Sequence, residues 1–427
     1  MKTVTKKSTY EKVMSLPRMK ARKPIRPVFL IQVLIRILSI FELRTAKFTY
    51  DSHGMEKLNK KEPFLILMNH SSFMDLEIAS RIFFPMRYGI VTTTDGFVGW
   101  LMRILMPLLG CIPTQKFVTD VSLIRNIQYM LKEKKTSVLM FPEAGYSIDG
   151  TATTLPRKMG ILLKKLGVPV VTVITQGAYM QQPLYNNLHR RKVKVRADVT
   201  CLFTAEDLKN MSVAELDAKL DEQFAFDNFR WQQENNIVVD EPFRADGLNR
   251  ILYKCPHCMA ESTMEGKGIK LLCHNCGAEY ELTETGFLKA DNAIFTHVPD
   301  WYRWERQEVR KELENGTYKL DVEVEIGMMV NYDAIFMVGD GRLVHTEEGF
   351  HLTGNDGKLD YTQGPLASHC LNVDYFWYEI GDMICIGNQD ALYYCFPKGQ
   401  GDVVAKTRLA AEELYKMKKT RRPSVSE

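Results

Sequence analysis

The sequence predicts an α/β domain with a mainly parallel sheet covered by helices, followed by a zinc ribbon and a β-rich domain that ends in a helix. Three observations predict this. Residues 48–205 alternate short apolar runs with amphipathic stretches, two C-x-x-C pairs follow, and residues 318–396 contain about eight short strand candidates separated by DG, GND and GN turns. The 427 residues allow two to four domains of roughly 100–200 residues each.

The first 47 residues are predicted to be a basic amphipathic segment that contacts a membrane. Residues 1–26 contain nine lysines and arginines against one acid. The apolar stretch that follows, residues 28–41, contains Gln32 and Arg36 and is shorter than the roughly 20 residues that cross a bilayer. No secretory cleavage site follows it. We expect a helix in the interface beside anionic lipid, with a buried core helix as the alternative.

Residues 48–205 contain three apolar runs that predict buried strands, at 64–68, 137–141 and 168–175. Helical patterns at 121–135 and 157–167 have apolar residues three or four apart. Continuous apolar strands between helices indicate a sheet covered on both faces. Because ligands bind such sheets where strands end, polar residues at those ends are site candidates.

The stretch NHSSFMD places His70 and Asp75 after the first of these strands. Residues five apart on one continuous helix lie about 140° apart around its axis and do not face each other. The two side chains can meet if His70 lies in a loop and the helix starts after it. The capping signature of Ser72 with Asp75 predicts such a start at Phe73. Asp75 then either caps the helix only or also orients His70 as a general base.

Two further stretches bring polar residues to strand ends. FPEAGYS contains Glu143, which can accept a hydrogen bond from a hydroxyl group, and Gly145, whose small size lets backbone amides approach a ligand. GCIPTQK begins at Gly110 and ends in a cation, Lys116. The second polar strand end favours the catalytic interpretation of His70.

Together these stretches resemble the glycerolipid acyltransferase family, which includes the 1-acylglycerol-3-phosphate acyltransferases. The family motifs N-H-x-x-x-x-D, G-x-I-F-I-x-R, F-P-E-G-T-R-S and V-P-I-V-P-V correspond in order to NHSSFMD, GCIPTQK, FPEAGYS and VPVVTVI, within residues 28–205. The resemblance implies that His70, oriented by Asp75, deprotonates an acceptor hydroxyl that attacks the thioester of acyl-CoA or acyl-carrier protein. It implies substrate contacts and oxyanion stabilisation by a further set of residues: Asn69, Gly110, Lys116, Glu143 and Gly145.

The chain departs from the family at two cations. The third-motif arginine, which the family uses for the acceptor's phosphate, is Tyr146, and the second-motif arginine is Lys116, a point charge without a bidentate fork. Arg157 or Lys158 could compensate. We therefore expect a lysolipid acceptor, lysophosphatidate-like or another, and a role in phospholipid biosynthesis or remodelling at the cytoplasmic face of a membrane.

Two other functions compete with acyl transfer. The missing arginine is compatible with a catalytically idle lipid-binding or scaffolding protein, whereas the intact His70, Asp75 and Glu143 favour an enzyme. A serine hydrolase is disfavoured because AGYSID lacks the second glycine of a nucleophile elbow.

Four of the nine cysteines have metal-ligand spacing. Fourteen residues separate CPHC from CHNC, and GKG can turn a hairpin between them. This pattern predicts a structural zinc site with four thiolate ligands, with a redox role as the alternative. The ligands are Cys255, Cys258, Cys273 and Cys276. No basic-aromatic stripe is present in this module, so nucleic acid is not an expected partner.

The predicted boundaries are the membrane-contacting segment at 1–47, the acyltransferase domain at 48–205, a helical connector at 206–245, the zinc ribbon at 246–290 and the C-terminal part at 291–427. The last part is expected to contain a helix at 298–314, the β-rich domain, a final helix at 403–419 and a basic tail.

Overall fold

The structure is a computed structural model that describes residues 5–19, 23–59, 62–117, 120–143, 145–156, 158–399 and 402–420. The basic tail and Arg157 lie outside this part of the chain. Three sheets and the helices packed against them account for most of the described residues.

The N-terminal region contains one strand and two helices, which are β1 (Thr5–Lys7), α1 (Tyr10–Met14) and α2 (Phe29–Thr45). Thr9 accepts a hydrogen bond from the amide of Lys12 and so caps α1. The 17-residue helix α2 contains the predicted amphipathic stretch. In the described ranges, no helix is both long enough and apolar enough to cross a membrane.

Seven strands form the sheet of the acyltransferase-like region: β2 (Thr49–His53), β3 (Leu65–Met68), β4 (Tyr88–Thr93), β5 (Cys111–Thr114), β6 (Ser137–Met140), β7 (Val170–Gln176) and β8 (Arg196–Phe203). Their order is β2-β8-β7-β3-β6-β4-β5, and every neighbouring pair is parallel except β7 with β8. The predicted mainly parallel sheet is confirmed.

The central strand β3 shows why this sheet is covered on both faces. All four of its residues are fully buried. Ile66 and Met68 belong to one apolar cluster, whereas Leu65 and Leu67 belong to another, because successive strand side chains point to opposite faces. The helices that supply these layers are α3 (Asp75–Phe83), α4 (Trp100–Leu108), α5 (Val121–Gln128), α6 (Met159–Leu166) and α7 (Ala178–Gln181). A π-helical turn, Tyr129–Glu133, continues α5.

Three helices follow the parallel sheet: α8 (Ala205–Asn210), α9 (Val213–Gln223) and α10 (Asn228–Glu234). Two of these helices begin with complete capping boxes. Thr204 pairs with Asp207 at the start of α8, and Ser212 pairs with Glu215 at the start of α9.

The cysteine module is a four-stranded antiparallel sheet followed by a long helix. Its elements are β9 (Met264–Lys267), β10 (Lys270–Cys273), β11 (Glu279–Leu282), β12 (Leu288–Lys289) and α11 (Val298–Glu314). The side chain of Trp301 on α11 is fully buried and its ring centroid lies 5.0 Å from that of Tyr280. The aromatic residues of this helix therefore anchor the module to the core.

The C-terminal sheet has the order β16-β15-β14-β13-β19-β18-β17, and the terminal helix α12 (Val403–Thr420) packs against α11. Its strands are β13 (Leu320–Met329), β14 (Ile335–Thr346), β15 (Gly349–Gly354), β16 (Leu359–Gln363), β17 (Asn372–Trp377), β18 (Gly381–Gly387) and β19 (Leu392–Pro397). The predicted β-rich region and its final helix are confirmed.

The N-terminal strand β1 pairs in parallel with β14 of this C-terminal sheet, with Thr5 opposite Ile335. Val13 of α1 is fully buried in the core cluster that includes the cysteine module and the C-terminal sheet. The region predicted as one membrane-contacting segment therefore has two environments, since its first part lies on the C-terminal sheet and α2 lies beside the parallel sheet.

Candidate active site

The stretch NHSSFMD leaves β3 at its carboxyl end and enters α3, which begins at Asp75. The helix thus starts two residues later than the predicted start at Phe73. Ser72 accepts a hydrogen bond from the amide of Met74 at 3.3 Å, so its hydroxyl supports the turn before the helix. The predicted arrangement, with the histidine in the loop and the aspartate in the first helical turn, is what the structure has.

His70 and Asp75 meet across this turn. The Nδ1 atom of His70 lies 2.9 Å from Oδ2 of Asp75. The same oxygen accepts hydrogen bonds from the amides of Ser71 at 3.0 Å and Ser72 at 3.2 Å. Asp75 therefore holds the turn before the helix and orients the imidazole at the same time. Burial raises the pKa of Asp75, and the hydrogen bonds from His70 and the two amides oppose that effect.

The bond to Asp75 engages Nδ1 and leaves Nε2 of His70 for other chemistry. Among the described residues, none forms a hydrogen bond with Nε2, and 19% of the side chain is exposed to solvent. The ring lies between two aromatic side chains, with centroid distances of 4.0 Å to Phe141 and 3.7 Å to Tyr146. Two flat neighbours and one carboxylate thus restrict the imidazole to a single orientation.

Glu143 supports the loop that carries His70. Its Oε1 accepts a hydrogen bond from the backbone amide of His70 at 3.1 Å, and its Oε2 accepts one from the amide of Thr153 at 2.9 Å. The side chain is fully buried, and burial raises the pKa of Glu143 to about 7. Both carboxylate oxygens are thus used within the protein, which favours a positioning role over the predicted contact with substrate.

Asn69 also supports this loop. Its Oδ1 accepts a hydrogen bond from the amide of Thr175 at 2.8 Å, and its Nδ2 donates to the Thr175 carbonyl and to the Ser71 hydroxyl. These bonds join the carboxyl ends of β3 and β7. Because Asn69 is fully buried, its amide serves to fix the loop against β7.

The two predicted glycines differ. The amide of Gly110 donates to the Pro107 carbonyl at 2.8 Å, and a Cβ at this position would lie 2.4 Å from the ring of Pro27. Gly110 is therefore required for close packing before β5. At Gly145, in contrast, an added Cβ would have no neighbouring atom of another described segment within 4 Å, so the space beside it is open.

Lys116 follows β5 at the same edge of the sheet, but its ammonium group is already paired. Its Nζ lies 2.7 Å from Oδ2 of Asp95 and 2.8 Å from Oδ1 of Asn372, which comes from β17 of the C-terminal sheet. Only 9% of the lysine side chain is exposed. The second-motif cation is thus held between the two sheets.

The four predicted metal ligands form one cluster. The sulfurs of Cys255, Cys258, Cys273 and Cys276 all lie within 4.8 Å of one another, with two separations of 3.7 Å. Four sulfurs at about 2.3 Å from a tetrahedral zinc ion lie about 3.8 Å apart, so the donor set fits this ion. The neighbouring His257 and His274 bond elsewhere, to Tyr280 and Glu265.

The region that carries His70 and Asp75 is similar to known proteins. The Acyltransferase family model matches residues 49–176. This region is therefore similar to the domain that the Acyltransferase model describes. The 1-acyl-sn-glycerol-3-phosphate acyltransferase of Saccharomyces cerevisiae is 26% identical over 179 residues, which are 40% of this chain and 56% of the yeast protein. The chain therefore spans little more than half the length of that relative.

Among solved structures, the 1-acyl-sn-glycerophosphate acyltransferase PlsC from Thermotoga maritima is similar to 45% of this chain and 76% of its own, with 19% identity and a TM-score of 0.38. The family motifs in this chain fall within the matched region 49–176, whereas the cysteine module and the C-terminal sheet lie outside it.

Several residues around the site were not predicted. Phe141 and Tyr146 flank Glu143 in the stretch FPEAGYS, and their aromatic character was the available signal for stacking on His70. Asp95 and Asn372 had no such signal, because Asn372 lies 256 residues after the lysine that it contacts.

Proposed function

We propose that the protein transfers a fatty acyl group from acyl-CoA or acyl-carrier protein to the hydroxyl group of a lysolipid. The observation that carries this proposal is the His70–Asp75 pair in the acyltransferase domain, with Nδ1 engaged at 2.9 Å and Nε2 without a bond to any described residue. The name of the yeast relative, and the four motifs in their order, support the same reaction class.

The proposed reaction proceeds by direct transfer. Nε2 of His70 accepts the proton of the acceptor hydroxyl as its oxygen attacks the thioester carbonyl. The tetrahedral intermediate then collapses, the carbon–sulfur bond breaks, and the imidazolium returns the proton to the leaving thiolate. Asp75 stabilises the imidazolium and keeps the proton of the neutral ring on Nδ1. The open space at Gly145 is the proposed place for the thioester carbonyl.

The proposed substrates are lipids, and the apolar surface of the acyltransferase domain supports their delivery from a membrane. Helix α2 exposes a row of large apolar side chains: Phe29, Leu30, Leu34, Ile37, Leu38 and Phe41. Helix α2 packs against α3, and the ring of Phe73, in the turn before α3, lies 5.2 Å from the Tyr146 ring beside His70. We infer a peripheral contact of this face with the cytoplasmic surface of a membrane that contains anionic lipid.

The proposed role of the cysteine cluster is structural. Four thiolates fill the coordination shell of zinc and leave no position for a substrate. Cys255 and Cys273 are fully buried in the core cluster that also contains Trp301 and the C-terminal sheet. Zinc at this site would therefore stabilise the packing between the module and the rest of the protein.

Thiol release from acyl-CoA and from acyl-carrier protein, measured over a panel of lysolipid acceptors, tests the reaction. We expect acceptor-dependent release that is lost in His70→Ala. Turnover that is unchanged in this variant would refute the mechanism. Lipid binding without turnover for any donor and acceptor would identify a catalytically idle lipid-binding protein, for which the occupied Lys116 is the supporting observation.

Vesicle flotation tests the membrane contact. Leu34→Asp with Leu38→Asp should abolish binding to vesicles that contain anionic lipid. The control places the same two charges at Val238 and Ile294, which are about as exposed but distant in sequence from α2. Equal binding by both double variants would remove α2 from the membrane contact.

Metal analysis tests the zinc site. We expect one zinc ion per chain, and its loss in Cys255→Ser together with lower thermal stability. His257→Ala is the control, because this histidine lies within the same CPHC turn but bonds Tyr280. A zinc content that Cys255→Ser leaves unchanged would contradict the assignment.

A further inference from the structure

The C-terminal sheet closes over the second-motif side of the acyltransferase domain. Val98 is buried in an apolar cluster with residues of β13, β17, β18 and β19, and Phe117 packs against the same cluster. The amide of Gly99 donates a hydrogen bond to the carbonyl of Tyr332 at 2.9 Å. The segment before α4 and the loop that carries Lys116 therefore both contact the C-terminal sheet or its turns.

Strand β17 directs polar side chains to this contact. Val373 and Tyr375 are buried in the core, whereas Asn372 and Asp374 alternate with them and lie on the opposite face of the strand. Asn372 accepts a hydrogen bond from Lys116 at 2.8 Å. The charge of Lys116 acts on the pKa of Asp374, which burial raises to about 7. The sheet therefore contributes an amide and a carboxyl group beside the lysine.

Lys116 and the His70–Asp75 pair follow strands at the same edge of the parallel sheet. Burial raises the pKa of Tyr146 well above its ordinary value, and the carboxylates of Asp75, Asp374 and Asp95 add to the effect. The Tyr146 ring lies 3.7 Å from the His70 ring. Tyr146 also packs against the core cluster that contains Val373 and Tyr375 of β17, so His70 and the C-terminal sheet both border this aromatic side chain.

The charge around Lys116 is unsuited to a phosphate monoester. The single positive charge of Lys116 faces the carboxylate of Asp95 at 2.7 Å, and Asp374 lies on the same face of β17 as Asn372, which Lys116 contacts. A phosphate dianion here would have to displace a buried ion pair, and it would meet two carboxyl groups. An acceptor without net charge in its head group meets neither cost.

We propose that the C-terminal sheet is part of the acceptor site, and that Asn372 and Asp374 select lysolipids whose head group carries no net charge, either uncharged or zwitterionic. This inference rests on the proposed acyl transfer and names its acceptor class. Lys116 serves as the centre of a closed polar cluster, and the lysophosphatidate type of acceptor is disfavoured by charge.

Acylation of three acceptors with the same acyl chain, in neutral detergent micelles, tests this selection. They are a monoacylglycerol, its phosphocholine ester and its phosphate monoester, assayed at pH 8 so that Asp374 is ionised. For the wild-type protein we expect kcat/KM to be at least about tenfold higher for the two acceptors without net charge than for the phosphate monoester. Asp374→Asn and Asn372→Ala should each lower the ratio of kcat/KM between these two acceptor classes roughly fivefold, mainly by lowering KM for the phosphate monoester.

Asp360→Asn is the matched control for the charge change. Asp360 lies on β16 of the same sheet and is exposed, beside His351. The ratio should remain that of the wild type in this variant. A wild-type preference for the phosphate monoester, or a ratio that Asp374→Asn and Asn372→Ala leave unchanged, would overturn the proposal.

A further variant, Arg157→Gln, tests whether this arginine, which lies outside the described part of the chain, binds the phosphate monoester. A selective loss of activity toward the phosphate monoester in this variant would place an anion site there and contradict the selection by β17. Unchanged ratios in Arg157→Gln are the expected result.

Failure of the reaction itself can be recognised separately. If no acceptor supports thiol release, the proposed acyl transfer fails, and calorimetric titration with hexanoyl versions of the same three acceptors then tests the selection as a binding preference. Tighter binding of the phosphate monoester would overturn the selection by this second measurement. Tighter binding of the acceptors without net charge, weakened selectively by Asp374→Asn, would support it without turnover.

Discussion

His70 and Lys116 both follow strands at the carboxyl edge of the same parallel sheet, but they differ in how fully their polar atoms are bound within the protein. His70 is bound through Nδ1 only, and its second nitrogen makes no hydrogen bond to a described residue. Lys116 is bound by Asp95 and Asn372 and is 9% exposed. The difference shows that a motif residue in its expected place is available for chemistry only if the tertiary structure leaves one of its polar atoms free.

The largest expected effect is a loss of activity at His70, the residue whose second nitrogen is available. Asp75→Asn keeps the shape of the side chain but removes the negative charge that stabilises the His70 imidazolium. We expect kcat to fall by roughly 10²–10⁴ with the fold retained. Steady-state thiol release and circular dichroism measure the two effects. Asp51→Asn, an exposed aspartate on β2 that pairs with Arg196, should retain wild-type activity; loss in both variants would indicate a non-specific effect.

The next effect is a loss of stability at Lys116, the residue whose ammonium group is already paired. Lys116→Met leaves the carboxylate of Asp95 buried without its cation, so the free energy of unfolding should fall by about 3–5 kcal/mol. Urea unfolding measures this loss. The double variant Lys116→Met with Asp95→Leu should recover much of it, because it leaves no unpaired charge. A single variant of unchanged stability but reduced acceptor affinity would show that Lys116 serves the substrate instead.

Glu143→Gln should change how the stability of the protein depends on pH, because Glu143 supports the loop that carries His70. The pKa of Glu143 is about 7 in the folded protein, above the ordinary value of 4.5. As pH rises from 4.5 to 7, the unfolded chain therefore loses this proton first, and the stability of the wild type falls relative to the variant by up to about 3 kcal/mol. Below pH 4.5 the difference is constant.

Urea unfolding at pH values of about 3.5, 6 and 8, which bracket the two pKa values, measures this relative change. Glu222→Gln, at an exposed position of α9, should follow the wild type at all three values. A difference between wild type and Glu143→Gln that does not vary with pH would mean that the Glu143 carboxyl is not protonated more readily in the folded state.

The smallest expected effect concerns Tyr146, whose ring is stacked on that of His70. Tyr146→Leu removes one of the two rings that hold the His70 imidazole. A stacked pair contributes about 0.5–1.5 kcal/mol, so kcat should fall by roughly two- to tenfold with little change in KM for the acyl donor. Tyr50→Leu, which removes a similar stack with Phe48, should leave kcat unchanged. An equal loss in both variants would contradict a positioning role for Tyr146.

Local patterns predicted the features that depend on near neighbours in the chain. The alternation of apolar runs predicted the mainly parallel sheet, because a strand covered on both faces needs apolar residues throughout, as in Leu65–Met68. The five-residue spacing predicted that His70 and Asp75 could meet across a turn, although α3 starts at Asp75 and not at Phe73. Two C-x-x-C pairs likewise predicted one cluster of four sulfurs.

Only the tertiary structure decided how Glu143, Gly110 and Lys116 are used. The hydrogen bonds of Glu143 to the His70 amide and of Lys116 to Asn372 join residues 73 and 256 positions apart. Over such distances no periodicity or motif spacing constrains which groups meet, because packing of whole sheets brings them together. The sequence by itself determined the chemistry that this sheet edge can perform, and the docking of the C-terminal sheet decided which of its polar groups remain open to a substrate.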